Sequence, residues 1–424
     1  MGWLRKRKKK VVDFCLHQKN TTFFYQTRCL TKTIVGLLLN VHKPVLNFIC
    51  TLCSYWWTVD GKYNFMNMSR FMPYSEQSLR NGFRRGFNFS GFNHSLVKKS
   101  CSKELLLAFD PTYLKKAGKH TESLGHYWNG QAQRSQKGLE FSSLSVIDVE
   151  NQTAFHLDGA LTPNKKTREK RKIALIDHYI AVIVNCLQKM TFLSAYITVD
   201  NYFMKKEFVN AMLEQGLNVI TKMRVDGNLK YLFKGKSKSG KGRSKKYDGK
   251  VDLRNPDRRR WEFVYENKNF YCISAILYSV SLKRNVRVVH CRNKEKGTYE
   301  VFLSTDLELD PRKIETYYRL RFQIEFLFRD GKQHAGMSNC QARDVQKINF
   351  HINMALTNLG LAKATYYLSI PKEERGPFSV EAIKRAHYNH FIVDYIFSNL
   401  QLDLTSKKIH ELYENCIRIG NLAA

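Results

Sequence analysis

Three acidic residues of this sequence occupy positions from which they could act together on a phosphate ester. Asp110 follows the apolar run "LLLAF", and Asp200 ends the β-branched run "SAYITVD". Glu325 lies inside the stretch "YYRLRFQIEFLFRDGK". Carboxylates held close together repel one another unless divalent cations bind between them. Two Mg²⁺ ions about 4 Å apart would then activate a nucleophile and stabilise the leaving oxygen of a phosphodiester.

Two strands and a helix must position these acids. We expect each aspartate at the end of a core strand, where neighbouring strand ends of an α/β sheet bring the two acids together. A helix packed over that edge supplies the third acid. Asp310 is predicted to cap this helix, with Pro311 at its first position. The helix is expected to run to about Asp330, with Gly331 just past its end.

The polar residues of that helix fall on one side of it. At 100° per residue, four of them lie within a stripe about 60° wide. They are Tyr318, Arg321, Glu325 and Lys332. An apolar face borders the stripe, so Glu325 is predicted to point along the edge of the core. Groups that bind phosphate would flank it there.

Composition favours a nucleic-acid partner. The chain has 424 residues, 43% of them hydrophobic, and a formal net charge of +33. Such a charge repels itself unless a polyanion neutralises it, and DNA suits that need better than a membrane surface does. No apolar run approaches the roughly 20 residues that a spanning helix needs. The ten cysteines form no framework and favour reduced thiols in a cytoplasm.

Three other kinds of site are disfavoured. The segment from Gly235 to Lys241 imitates a phosphate-binding P-loop, but Gly242 stands where Ser or Thr would bind magnesium, so no nucleotide is expected. No histidine has the His-x-x-Arg spacing that tyrosine recombinases use. The His-Glu-x-x-His pattern of zinc hydrolases is also absent from the sequence.

The N-terminal part is predicted to be a helical DNA-binding domain over residues 1–100. Within residues 43–87, three successive helices give a helix-turn-helix outline, and Ser75 caps the third, "EQSLRNGFRRGF". Three basic residues of that helix would then face DNA, namely Arg80, Arg84 and Arg85. An ordinary surface helix explains the same residues equally well. The start, "MGWLRKRKKK", is interpreted as a solvated basic tip or a phosphate-binding arm.

The remainder is predicted to be α/β, with strands alternating with helices after an opening β-meander. One helix is expected from about Lys172 to Met190, and another to end at Gly216. The predicted divisions are a first core part (101–224), a β-rich insertion (225–309), a second core part (310–370) and a C-terminal helical region (371–424). The basic loop Lys234–Lys250 of the insertion is expected to contact phosphates.

The sequence resembles a large group of bacterial insertion-sequence transposases. These enzymes carry an Asp-Asp-Glu active site on an RNase H-like fold and a Tyr-Arg-Glu-Lys signature, which Tyr318-x2-Arg321-x3-Glu325-x6-Lys332 matches without a gap. "FDPTYLKKAGKHTESLGHYWNG" looks like the segment of their first aspartate, and "ITVDNYFMKKEF" like that of the second. In this group a β-rich insertion separates the second aspartate from the glutamate.

The resemblance implies the following roles. Asp110, Asp200 and Glu325 would bind two Mg²⁺ ions, with Mn²⁺ as a substitute. Tyr318, Arg321, Lys332 and Lys119 would contact DNA phosphates. Trp261 is a candidate for stabilising a flipped base. Where relatives often have an acid beside the second aspartate, this chain has Asn201, so no fourth carboxylate is expected there.

The function predicted is cutting and joining of transposon-end DNA by a homodimer that holds two DNA ends and target DNA. The resemblance also implies a location in a bacterial cytoplasm, in association with the nucleoid. Two alternatives stay open. One is an inactive DNA-binding protein, such as a decayed transposase acting as a repressor. The other is an RNase H-like nuclease that cuts without joining. The presence of all three acids favours catalysis.

Overall fold

The fold is described from a computed structural model of the chain. The structure describes residues 23–38, 41–235 and 245–420. The predictions for the N-terminal basic segment, for most of the P-loop look-alike and for the centre of the basic loop Lys234–Lys250 lie outside the described residues.

Helices flank the sheet at both ends of the chain. Their bounds are α1 (Phe23–Gly36), α2 (Lys43–Tyr55), α3 (Phe65–Phe71), α4 (Glu76–Gly82), α5 (Phe89–Ser100), α6 (Lys165–Arg171), α7 (Leu175–Leu187), α8 (Lys206–Glu214), α9 (Pro311–Leu320), α10 (Gln323–Gln333), α11 (Val345–Ser369), α12 (Val380–Leu400) and α13 (Lys407–Ile417). In the part of the chain that the structure describes, no helix is both long and apolar enough to cross a membrane.

The strands form one mixed sheet. Their bounds are β1 (Leu105–Lys115), β2 (Gly125–Asn129), β3 (Arg134–Asp148), β4 (Thr153–Leu161), β5 (Tyr196–Val199), β6 (Asn218–Met223), β7 (Leu229–Leu232), β8 (Tyr247–Lys250), β9 (Glu262–Glu266), β10 (Phe270–Ser279), β11 (Arg284–Asn293) and β12 (Tyr299–Ser304). Hydrogen bonding gives the order β2-β3-β1-β5-β6-β12-β11-β10-β7-β8, with β4 beside β3 and β9 beside β10.

Five strands make the core of this sheet, in the order β4-β3-β1-β5-β6. The pairs β4/β3 and β3/β1 are antiparallel, whereas β1/β5 and β5/β6 are parallel. A meander of three strands followed by two parallel strands with helical crossovers is the RNase H-like arrangement. The predicted fold class, an α/β protein with this mixed sheet, a β-rich insertion and N-terminal helices, is therefore confirmed.

Strand β1 is longer than the sequence suggested. It continues through Asp110 and Pro111 to Lys115, because β3 pairs with it along its whole length. On its other side, β5 pairs only as far as Ala108. The missing N–H of proline is tolerated where a strand has one open side. The prediction that the strand ends at Asp110 is therefore wrong, although the parallel part of the sheet does stop near that residue.

Two predicted helix boundaries also need correction. The helix expected from about Lys172 to Met190 is present but shorter: Lys172 takes a left-handed conformation (φ 54°) that ends α6, and α7 runs from Leu175 to Leu187. In the N-terminal part, Ser75 caps α4 as predicted, with its hydroxyl accepting from the Ser78 N–H. That helix ends at Gly82.

The early end of α4 has a packing cause. The next residue, Phe83, is fully buried, and its ring packs against Phe65 and Phe350 with centroid distances of 5.0 and 4.7 Å. Arg84 and Arg85 thus follow the helix instead of forming its last turn. Helices α1–α5 share one hydrophobic cluster with the sheet and with α11. The domain boundaries and the helix-turn-helix role stay predictions.

The insertion extends the core sheet. Its last strand, β12, pairs antiparallel with core strand β6, with Val301 opposite Met223 and Ser304 opposite Ile220. Strands β11 and β10 follow in the same ladder. The insertion and the core thereby form one continuous sheet.

One cysteine pair is oxidised, whereas the sequence predicted reduced thiols. Cys272 on β10 and Cys291 on β11 face each other across the ladder and are joined by a disulfide. The prediction of reduced thiols is wrong for this pair. The seven other cysteines within the described ranges are free.

Helix α11 runs through the core and carries a buried lysine. The Lys363 Nζ donates to the Ala154 carbonyl oxygen at 3.0 Å, and the side chain is almost fully buried. Burial lowers the pKa of Lys363 to about 8 from its usual 10.5, while nearby Asp330 acts in the opposite direction. Maintaining a buried ammonium costs stability at neutral pH.

This lysine predicts a specific pH dependence of stability. Between pH 8 and 10.5 the unfolded chain binds a proton that the folded chain does not, so the free energy of unfolding rises with pH, by up to about 3 kcal/mol. We expect Lys363→Met to be more stable than the wild type at pH 7, with a difference that shrinks as pH rises through this window. Urea unfolding at several pH values measures it. A difference that does not change with pH would contradict the assignment.

Candidate active site

The two aspartates lie level with each other on neighbouring strands. In the parallel pair β1/β5, Ala108 is opposite Thr198, and Asp110 and Asp200 each follow two residues later. Since side chains two residues apart point to the same face and neighbouring strands are about 5 Å apart, both carboxylates extend from the same face at the same height. The Asp200 carboxylate also accepts from the Tyr202 N–H at 2.9 Å, which begins a short 3₁₀ turn.

The helix that carries the third acid is broken, which the sequence did not predict. Helix α9 begins at Asp310 and Pro311 as expected, but it ends at Leu320. The N–H groups of Arg321 and Phe322 bond to carbonyls three residues earlier, and α10 then begins at Gln323. This is the tighter 3₁₀ pattern. No glycine or proline marks the break, so packing of the two apolar faces, and not local propensity, sets it.

Arg321, at that break, joins two of the acids. Its Nη2 lies 2.8 Å from Glu325 Oε1, and its Nη1 lies 3.8 Å from Asp110 Oδ2. The guanidinium is 15% exposed, and its Nε has no hydrogen-bond partner among the described residues. A single buried cation thus compensates the charge of acids that come from a strand and a helix.

The pKa values of the two aspartates show that their charged forms need a counter-charge. The pKa of Asp110 is raised to about 7, mainly by burial; Arg321 opposes this rise, and Asp200 and Glu325 contribute to it. Burial likewise raises the pKa of Asp200, again opposed by Arg321. Carboxyl groups perturbed in this way, in a cluster of like charge, are typical of functional sites.

Lys332 reaches the same face of the sheet. Its Nζ donates to Thr112 Oγ1 at 2.8 Å, and Thr112 follows Asp110 by two residues on β1. Burial lowers the pKa of Lys332, and Asp110 opposes that shift. Gly331 does not end the helix as predicted but lies within α10, where an added Cβ would lie 2.8 Å from Leu356 Cδ2 on α11. Its lack of a side chain permits close packing of the two helices.

Helix α9 is held in place by the insertion. Glu315 accepts from the Tyr265 hydroxyl at 2.7 Å and from Arg319 Nε at 2.8 Å, and Arg319 also pairs with Glu300 on β12 at 3.2 Å. One turn on, Tyr318 packs on Phe302 of β12, with ring centroids 5.2 Å apart. The insertion therefore fixes the helix that leads into Arg321 and Glu325.

A comparison with known families identifies the domain that carries these residues. The family model described as "Transposase DDE domain" matches residues 102–361, more than half of the chain. The chain belongs to this family. Members of the DDE transposase family act on DNA and generally use divalent metals. No curated protein gives a significant match to the chain.

The carboxylates of this DDE transposase domain suit divalent cations. Oxygen ligands are the ones that Mg²⁺ and Mn²⁺ prefer. Asp110 and Glu325 already share the positive charge of Arg321, so the cluster accommodates a cation.

A second possible ligand group is already engaged. Within the described ranges, only Cys272, Cys291 and Glu315 place three potential ligand atoms within 4.8 Å of one another. Those two sulfur atoms are bonded to each other, and Glu315 accepts from Tyr265 and Arg319. The carboxylate oxygens of Asp110, Asp200 and Glu325 do not all lie within that distance of one another, so a cation bound there would draw the three acids closer together.

The other predicted DNA contacts of the transposase lie apart from the acids. Arg80 forms an ion pair with Glu76 and covers the Phe65 ring at 5.2 Å, and Arg84 Nε lies 3.2 Å from Asp344 Oδ2. Arg85 and Lys119 are exposed. All four remain predictions.

Trp261 does not suit the role first considered for it. Its side chain is 7% exposed, and its Nε1 donates to the Tyr231 hydroxyl at 3.2 Å. A buried ring is not available to stack on a base in this conformation, so Trp261 is a packing residue of the insertion.

Sequence reasoning missed Thr112 and the short strand β2. Thr112 could have been found from strand periodicity, because residues two apart share a face and Thr112 follows Asp110 by two. The turn signal Asn129-Gly130 was available to predict a hairpin of β2 with β3. The ion pairs of Arg321 had no sequence signal.

Proposed function

We propose that this transposase-family protein cuts and joins DNA at transposon ends, with Asp110, Asp200 and Glu325 as ligands of two divalent cations, Mg²⁺ or Mn²⁺. The observation that supports this most is the level placement of the two aspartates on adjacent parallel strands, with Glu325 and Asp110 paired to one arginine. Two cations there would supply an activated nucleophile and neutralise charge on the leaving oxygen.

The chain's own residues position the DNA. The positive charges of Arg321 and Lys332 on either side of the acids would hold the phosphate oxygens beside the scissile bond, with Tyr318 packed behind Arg321. In the first reaction a water oxygen bonds to phosphorus, the bond to the 3′ oxygen breaks, and a 3′-hydroxyl is freed. In the second, that hydroxyl attacks a phosphodiester of the opposite strand or of target DNA, whose own 3′ oxygen leaves.

The remaining parts of the proposal concern partners. Double-stranded DNA of the terminal repeats and of the target is the substrate, and a homodimer would hold two ends together. The N-terminal helices with Arg80, Arg84 and Arg85 would bind the ends, and Lys119 would contact a phosphate nearer the acids. The net charge of +33 supports a polyanionic partner.

One experiment tests catalysis directly. Duplexes copied from the genomic DNA on either side of the coding region are incubated with the purified chain and Mg²⁺, Mn²⁺ or EDTA, together with a supercoiled plasmid. We expect nicks at one position in each end that need the metal, and covalent joining of the nicked end to the plasmid. Nicks without joining would instead indicate a nuclease. Binding without any nick would indicate an inactive DNA-binding protein.

A further inference from the structure

The hairpin formed by β2 and the first five residues of β3 (residues 125–138, hereafter the β2–β3 hairpin) presents an unusual surface. Trp128 on β2 is 60% exposed. The other tryptophans within the described ranges, Trp56, Trp57 and Trp261, are buried. Beside Trp128 on the same face are His126 and, opposite on β3, Ser135 and Lys137, all exposed. None of the roles assigned above uses this surface.

Strand registers place this surface on the face of the sheet that carries the catalytic cluster. Asp110 is opposite Ser143 on β3, and every second residue of β3 back to Ser135 shares that face. Trp128 is opposite Ser135. Eight residues of strand therefore separate the level of Trp128 from that of Asp110, a distance of about 27 Å. This corresponds to about eight base pairs of duplex.

The hairpin is firmly attached to the strand that bears Asp110. The Tyr113 hydroxyl on β1 donates to the Lys137 carbonyl oxygen at 2.7 Å. On the opposite face from Trp128, the Tyr127 hydroxyl lies 2.9 Å from the carbonyl oxygens of Ser123 and Thr162. A Cβ on Gly138 would come within 2.5 Å of the Leu114 carbonyl oxygen, so glycine permits the close approach of β1 and β3. Trp128 thus has a defined position relative to the acids.

The charge of the surrounding segment suits a polyanion. Residues 115–137 contain five lysines and arginines and two histidines, against one acid, Glu122. That acid is engaged at the start of α11, where its Oε2 accepts from the Val345 N–H at 3.3 Å. A positive surface with a projecting aromatic ring is the combination that binds nucleic acid without strong sequence preference.

We propose that the exposed face of the β2–β3 hairpin binds the DNA that continues beyond the scissile phosphate. Trp128 stacks on a base or packs against a deoxyribose, and Lys137, on the same face, contacts a phosphate. The inference rests on the proposed function, because that function places the duplex at Asp110 and so sets the direction in which the DNA continues. It adds a DNA contact about eight base pairs from the reaction centre, which would set the length of DNA that the protein requires.

Tryptophan fluorescence gives a direct test. In a Trp3→Phe background that also carries Asp110→Asn to prevent cleavage, Trp128 is the one exposed tryptophan within the described ranges. End duplexes extended stepwise in both directions are titrated in, and emission and affinity are followed. We expect quenching of Trp128 emission and about tenfold tighter binding once the duplex extends about eight base pairs past the cleaved position on one side.

Variants separate stacking from general effects. Trp128→Ala is expected to abolish the gain in affinity from the longer duplex, while Trp128→Phe keeps most of it. Phe192 is the matched control, because it is an even more exposed aromatic (73%) on the loop that enters β5, at the end of that strand opposite to Asp200. Phe192→Ala should change neither quenching nor affinity.

Two results would overturn the proposal. One is an affinity of Trp128→Ala equal to that of the wild type on every duplex length. The other is a change in oligomeric state with unchanged DNA affinity, measured by light scattering, which would make the hairpin a contact between copies of the chain. The proposed function is tested separately by the nicking of short duplexes with a Trp128→Ala variant that retains Asp110. Short duplexes do not reach the hairpin, so their nicking does not depend on it.

Discussion

Asp110→Asn, Asp200→Asn and Glu325→Gln are each expected to abolish DNA cleavage while binding to end duplexes stays close to the wild-type value. Each change removes one negative charge and keeps the side-chain shape, so the cation site is lost and the basic surface is not. The cleavage rate should fall by more than about a thousandfold, as is usual when one essential catalytic group is removed. Gel-based nicking assays and binding titrations in the same buffer measure both quantities.

The control and a second measurement make this test specific. Glu214→Gln, at an exposed acid at the end of α8, should cleave normally. Thermal unfolding of the DNA-free proteins with and without Mn²⁺ should show stabilisation of the wild type and of Glu214→Gln only. A variant of any of the three acids that still cuts DNA would remove that residue from the assigned site.

Arg321→Ala is expected to have opposite effects on the two ligands of the site. DNA binding should weaken about tenfold, and the dependence of log affinity on log salt concentration should become shallower by about one, because one phosphate contact is lost. Binding of Mn²⁺ to the DNA-free protein should become tighter. The guanidinium that now pairs with Glu325 and Asp110 would no longer compete for their charge.

Two further variants show whether the effect belongs to Arg321. Arg329→Ala removes a more exposed arginine of α10, the helix that follows Arg321, whose partner is Asp330, and should alter neither property strongly. Arg321→Lys should restore part of the salt dependence but less of the affinity, since lysine cannot bind a phosphate through two parallel hydrogen bonds. If Arg321→Ala keeps the wild-type salt dependence, then Arg321 does not contact DNA.

The parts of the fold that were predicted well depend on local chemistry. The side chains of Asp310 and Ser75 accept from free N–H groups at helix starts, and Pro311 at the first helical position has no N–H to satisfy; these features are readable from a few neighbouring residues. Gly216, with φ 75°, follows the end of α8 for a similarly local reason. Asp200 follows a strand of β-branched residues as expected.

The errors arose where distant packing overrides local preference. Gly331 was interpreted as a helix end, but its role is to admit Leu356 from another helix. The break at Arg321 depends on how two helices meet the sheet, and β1 passes through Pro111 because β3 supports it along its whole length. The burial of Trp261 likewise depends on Tyr231, thirty residues away in the sequence.

For the candidate site, the sequence was sufficient to choose the acids but not to place their surroundings. The spacing of Tyr318, Arg321, Glu325 and Lys332 predicted a shared surface. The structure links Tyr318, Arg321 and Glu325 although the helix is broken, whereas Lys332 contacts Thr112 of β1. The pairing of Arg321 with the acids and of Lys332 with Thr112 requires the strand register, which no local pattern contains.

The pairing of β12 with β6 limits how this protein can be shortened. Because the insertion provides one of the two neighbours of β6, cutting it out by joining residue 224 to residue 310 would leave the β6 backbone groups that now bond to β12, between Ile220 and Met223, without partners. Free sheet edges of that kind invite association with other chains. A minimal catalytic fragment therefore has to retain β12, or replace it with another strand, to stay monodisperse in solution.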